Sequence, residues 1–150
     1  MIDSIALHNT FLHKAYLLAK KAYDQGEVPV GAILVENNRI IAKAYNKTES
    51  NKKATSHAEL LVIEKASKIK NNWRLNNCIL YTTLEPCPMC AGAILLSRIK
   101  KVIYSSREPK WGCCGSVFDL FDNKCFPWKV EVDYLPLQKS EQLIKKFFRN

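Results

Sequence analysis

CILYTTLEPCPMCAGAILLSRIKKVIYS, residues 78–105, decides the fold. Cys78 to Thr83 (CILYTT) is an apolar run of strand length, rich in residues that favour strands. Pro88 is suited to the first turn of a helix, because its missing N–H is one that no helix start can pair. A helix is therefore expected from Pro88 to about Ser97. Lys101 to Ser105 (KVIYS) returns to strand character. A strand, a helix and a second strand in so few residues point to a parallel crossover.

Working outward, Val28 to Val35 (VPVGAILV) and Arg39 to Tyr45 (RIIAKAY) read as strands. Glu36-Asn37-Asn38 between them is a turn signal, so the two form an antiparallel hairpin. Ile5, Leu12, Ala15, Tyr16, Ala19, Ala22 and Tyr23 fall near helical spacing, predicting a helix over about 4–24 with Ser4 as its N-cap and Gly26 as its stop. His57 to about Lys70 is again helical. Val130 to Tyr134 supplies a fifth strand and Ser140 to Phe148 a closing helix. Alternation of strand and helix from about residue 78 onward, after an antiparallel hairpin, implies an α/β chain: a three-layer α/β/α arrangement around a mixed five-stranded sheet. No repeat, low-complexity tract or linker interrupts it, so residues 1–150 are expected to form a single domain.

The chain has 150 residues, of which 47% are hydrophobic, enough for a sizeable core. Its formal net charge is +9, which favours a polyanionic partner, nucleic acid being the usual one. The opening Met1-Ile2-Asp3-Ser4 lacks a basic signal-peptide start, and nothing approaches the roughly 18 consecutive apolar residues of a membrane span. A cytosolic protein with no membrane partner is expected. Its six cysteines are then expected as thiols or metal ligands.

Two clusters carry chemistry: Ser56-His57-Ala58-Glu59 and Glu85-Pro86-Cys87-Pro88-Met89-Cys90. Cys87 and Cys90, three apart at a helix start, share one helix face, and the unpaired N–H groups there favour thiolate over thiol. His57 at the start of another helix adds a nitrogen. Three protein ligands suit a catalytic zinc, one ion per chain, with the fourth position left to water. Two thiolates and a neutral imidazole cancel the charge of Zn2+, so a nearby base is useful. Glu59, two residues from His57, is placed to take a proton and return it to a leaving nitrogen. Taken singly, each residue has a plainer reading. His57 reads as a surface histidine, Cys87 and Cys90 as buried thiols or a redox pair, and Glu59 as the capping-box partner of Ser56. None of these predicts the combination. His8 and His13 are off a shared helix face and read as surface residues. Cys113 and Cys114 read as small packing residues in a tight loop with Gly112 and Gly115. Cys78 and Cys125 receive no role.

His57-Ala58-Glu59 with Pro86-Cys87-Pro88-Met89-Cys90 resembles the signature of the cytidine deaminase superfamily. More of the chain is similar to its bacterial tRNA-specific adenosine deaminase family: Glu27-Val28-Pro29-Val30-Gly31-Ala32, Asn46 after the second strand, Arg107 to Gly112 with Gly115-Ser116, and Phe147-Phe148-Arg149. Ala44, Ser56, Glu108 and Cys113-Cys114 depart from the family's usual residues. The resemblance implies a cytidine deaminase-like fold and hydrolytic deamination of adenosine to inosine at the wobble position of a tRNA anticodon loop, with a zinc-activated water. It also implies Asn46 as substrate-binding, an RNA-contacting loop around 107–116 and a homodimer. Basic groups in the later part of the chain extend the RNA-binding candidates to Arg107, Lys110, Lys145, Lys146, Phe148 and Arg149.

Two rivals stand beside this reading. One is a deaminase of a free base or nucleotide such as guanine or cytosine, which needs no long basic surface. The other is a non-catalytic zinc-dependent RNA-binding module, which has no use for Glu59.

Overall fold

The computed structural model describes residues 5–122, 124 and 126–149; Ser4 and Cys125 lie outside them. Ten elements follow in order: α1 (Ile5–Asp24), β1 (Gly31–Glu36), β2 (Arg39–Tyr45), α2 (Thr48–Asn51), α3 (Ala58–Lys70), β3 (Cys78–Thr82), α4 (Pro88–Leu96), β4 (Lys101–Tyr104), β5 (Glu131–Tyr134) and α5 (Gln138–Arg149). The strands form one five-stranded sheet in the order β2-β1-β3-β4-β5. β1 runs antiparallel to both β2 and β3, whereas β3, β4 and β5 are mutually parallel. The expected mixed five-stranded sheet is therefore present.

Strand periodicity sorts the core into two layers. Ala32, Leu34, Leu80 and Val102 face one side, where they pack with Val62 and Ala66 of α3 and Ile94 and Leu95 of α4. Ile33, Val35, Tyr81 and Ile103 face the other, against Phe11 and Leu12 of α1. Gly31 sets how closely α1 approaches: a Cβ there would sit 2.0 Å from the Ala15 carbonyl oxygen. Helices thus cover both faces.

Asn37 and Asn38 both have positive φ, 52° and 62°, as the tight hairpin turn matching strand twist requires. Gly26 ends α1 at φ +76°. The Glu27 N–H then donates to the Ala22 carbonyl at 2.9 Å and the Gly26 N–H to Tyr23 at 3.0 Å, the paired bonds of a Schellman cap.

The structure corrects several expectations. β1 starts at Gly31, not Val28, because Pro29 has no N–H to give a ladder. The short helix α2 was not anticipated; its four residues are too few for a periodic signal. β4 and β5 are parallel but joined by a long loop with no helix among its described residues. Trp128 ties that loop back, donating from Nε1 to the Leu95 carbonyl at 2.8 Å. His8 is not a surface residue: it is 8% exposed and its Nδ1 lies 2.7 Å from the Tyr81 hydroxyl. No helix among the described residues is long and apolar enough to cross a membrane.

Candidate active site

The carboxyl ends of β3 and β4, the start of antiparallel β1 and the end of β2 all meet at one edge of the sheet. The Thr83 N–H donates to the Gly31 carbonyl at 3.1 Å and fastens that edge. Loops leaving carboxyl strand ends are the usual ligand side of α/β sheets, and both sequence clusters lie there.

His57 is the N-cap of α3 and Cys87 the N-cap of α4, each extended, with Pro88 opening α4. Two helix starts therefore converge. His57 Nδ1 is 3.5 Å from Cys87 Sγ and 3.7 Å from Cys90 Sγ, and the three ligand atoms lie within 4.8 Å of one another. Ligand bonds of about 2.3 Å to sulfur and 2.05 Å to nitrogen at tetrahedral angles put sulfur and nitrogen about 3.6 Å apart. The donor set fits zinc in chemistry and in spacing.

The protons in this cluster follow the same geometry. The Cys90 thiol bonds to Cys87 and pulls the latter down to about 4 against burial, with His57 and the Cys90 backbone N–H assisting. That shared proton and burial push Cys90 up, although the Leu60 N–H at the start of α3 works the other way. His57 is raised, first by its bond to Cys87. A dication replaces protons this cluster otherwise shares.

Glu59 is 4% exposed. Burial first, then the negative charge at Cys87, push its carboxyl up to about 7. The capping-box alternative does not hold: His57, not Ser56, caps α3, and no side chain bonds at that cap. The Ser56 hydroxyl instead accepts from Asn51 Nδ2 at 3.1 Å.

His57, Cys87, Glu59 and Asn46 line one cavity of about 320 Å³, walled also by Val30 and Leu84. Asn46 is 5% exposed and its Oδ1 accepts from the Thr48 hydroxyl at 3.0 Å. A second cavity of about 680 Å³ lies alongside and is lined by Arg107, Lys110, Lys145, Phe148 and Arg149. Leu84, Glu108, Trp111 and Phe148 line both. Five of the six RNA-binding candidates thus share one groove. Lys146 does not line it; its ammonium sits 5.4 Å over the Tyr23 ring. Phe147 meets the same ring edge-on at 6.2 Å, while Phe148 is 64% exposed at the groove.

A family model for the cytidine and deoxycytidylate deaminase zinc-binding region matches residues 6–106. The chain belongs to this deaminase family. Among relatives, the tRNA-specific adenosine deaminase of Bacillus subtilis (strain 168) is 48% identical over 140 residues, 93% of this chain and 87% of that protein. A solved chain from work on A-to-I editing by tRNA:A34 deaminases at the wobble position of transfer RNA superposes with a TM-score of 0.81. It is 36% identical and covers 85% of this chain and 98% of its own. A guanine deaminase from Bacillus subtilis is 32% identical with a TM-score of 0.65, covering 95% and 94% of the two chains. Zinc is the family's metal, and His57, Cys87 and Cys90 are the residues here that fit it.

Two carboxylates that the sequence reading left without roles belong to the deaminase site. Glu27 is fully buried and accepts from the Glu49 N–H (3.0 Å), the Ser50 N–H (2.7 Å) and the Ser50 hydroxyl (2.7 Å), anchoring α2 beside Asn46. Glu85, 1% exposed, accepts from the loop that carries Trp111. The only sequence signal was an acidic residue inside or beside an apolar run.

Proposed function

We propose that this chain deaminates adenosine to inosine at the wobble position of a tRNA anticodon loop, consuming water and releasing ammonia. The observation that carries it is the continuity between the 320 Å³ cavity at Glu59 and the 680 Å³ groove of Arg, Lys and aromatic residues. A free base fills only the first; a polynucleotide uses both. The tRNA-specific relatives support the same substrate.

His57, Cys87 and Cys90 would hold the zinc, which when bound would supply a Lewis acid that makes water nucleophilic near neutral pH. Asn46 orients the base or ribose from the cavity wall. The Glu59 carboxylate takes a proton from the attacking water and delivers it to the departing amino nitrogen. Leu84 and Val30 exclude bulk water from the base. Groove cations meet phosphates, and the exposed ring of Phe148 offers a stacking face. A loop nucleotide is the cheaper target, since leaving a duplex stack costs a few kcal/mol.

The reading extends to the whole molecule: residues 1–150 act as one deaminase domain, paired as a homodimer, in the cytoplasm where tRNA is matured. Sedimentation of the purified protein checks the dimer. Ammonia release from tRNA transcripts, and from free guanine, cytosine and adenosine, checks the activity. The expected outcome is turnover of tRNA with the free compounds inert. Turnover of a free base in place of tRNA overturns the substrate and favours the guanine deaminase likeness.

A further inference from the structure

Glu85 sits two residues before Cys87 and lines the inner cavity, yet its carboxylate is aimed at the loop between β4 and β5. Oε1 accepts from the Glu108 N–H at 3.0 Å and from the Ser116 hydroxyl. Oε2 accepts from the Cys114 N–H at 2.8 Å and the Ser116 N–H at 3.1 Å. Four donors spread over nine residues of chain thus converge on one side chain. The backbone adds to it: the Glu85 N–H donates to the Ser106 carbonyl at 2.8 Å and the Cys113 N–H to the Pro86 carbonyl at 2.9 Å. Gly112 allows the approach, because a Cβ there would lie 2.4 Å from Glu85 Cδ.

Between these anchors the loop presents Glu108 and Trp111, which line both cavities. Trp111 is 54% exposed, so little but the loop's own path holds it in place. We infer that Glu85 is a positioning residue for substrate grip: its buried carboxylate fixes the 108–116 loop so that Trp111 and Glu108 stand where the inner cavity meets the groove. The inference rests on the proposed RNA substrate for its kinetic consequence, and on the hydrogen-bond pattern alone for its structural one.

Glu85→Gln separates the possibilities. An amide keeps the volume but has one acceptor oxygen. With that oxygen turned to the Cys114 and Ser116 N–H groups, the NH2 faces the Glu108 N–H, donor against donor, and the Ser116 hydroxyl must reverse. Gly112→Ala attacks the same contact from the loop side and serves if Glu85→Gln folds poorly. Hydrogen exchange of the zinc-loaded protein needs no substrate: backbone amides in 108–116 are expected to exchange about tenfold faster in either variant, with β1 and β3 unchanged. With an anticodon stem–loop RNA, KM is expected to rise about tenfold, the scale of one stranded buried donor, while kcat and the zinc content hold. Because both variants act through one contact, the double variant should match the worse single one rather than their product.

Unchanged exchange in 108–116 overturns the inference. So does a fall in kcat with KM unchanged, or loss of zinc, since Glu85 would then serve the Cys87 turn instead. If the parent enzyme leaves the RNA untouched, the proposed substrate fails, and the exchange result alone decides the role of Glu85.

Discussion

Glu59 is buried beside two sulfurs, and its carboxyl is raised to about 7 by burial and by the Cys87 charge. Its place on the wall of the cavity it shares with His57 and Cys87 suits it to take a proton from a water there and return it, as a general acid–base group must. Glu59→Gln is expected to keep zinc and the parent melting temperature while losing about 10²–10⁴ in turnover. A destabilised but fully active variant would contradict the role. The ligands give the complementary result. Cys87→Ala with Cys90→Ala should purify with little zinc, measured by elemental analysis; full occupancy in that variant would remove the assignment of His57, Cys87 and Cys90.

Elements are held around the site by buried side chains that carry charge. Glu27 caps no helix of its own, yet it fixes α2 through the Glu49 and Ser50 amides. Burial opposes its ionisation, but the Ser50 hydroxyl, those two amides and nearby Lys47 outweigh burial and hold its carboxyl below 4.5. A carboxylate lowered on folding adds stability above its unfolded value, and that stability is lost as pH falls through the folded value. The parent should therefore exceed Glu27→Gln in stability at pH 7, with the gap closing as pH falls below the ordinary carboxylate range, as read by urea melts across pH. A gap that is constant with pH would mean the charge of Glu27 is irrelevant to folding. Gly31→Ala acts on another junction: its Cβ would meet the Ala15 carbonyl at 2.0 Å, so α1 must lift from the sheet. Overpacking of this kind costs about 1–3 kcal/mol, visible as a lowered melting temperature.

Across the whole molecule, the net charge of +9 matters by where it is placed. Arg107, Lys110 and Arg149 line the groove, and the Arg107 guanidinium lies 4.4 Å over the Tyr134 ring. Lys145 also lines it but pairs with Glu141 at 2.9 Å, an exposed pair of small energetic weight. Replacing Arg107, Lys110 and Arg149 with Ala should weaken tRNA binding. It should also flatten the plot of log affinity against log salt, by about 0.7 per lost contact with single-stranded RNA. Lys146→Ala should change the slope less, since that side chain covers Tyr23. Equal slopes for all these variants would place the RNA elsewhere.

The two short motifs that form the His57, Cys87 and Cys90 cluster, the hairpin turn and the strand–helix–strand unit of residues 78–105 were legible in the sequence, because each rests on a local pattern of a few residues. A His-x-Glu and a Cys-x-x-Cys at helix starts, two asparagines in a turn and one proline at a first helical position act over a few residues, where spacing dictates geometry. The parallel pairing of β4 with β5 through a loop with no helix among its described residues, the burial of His8 against Tyr81, the departure of Lys146 from the groove and the carboxylate anchors Glu27 and Glu85 were not. Each of these joins residues far apart in the chain, such as Glu85 with Ser116 or His8 with Tyr81. A buried carboxylate looks the same in sequence as a solvated one until its hydrogen-bond donors are brought to it, and only the packed sheet and its loops bring them.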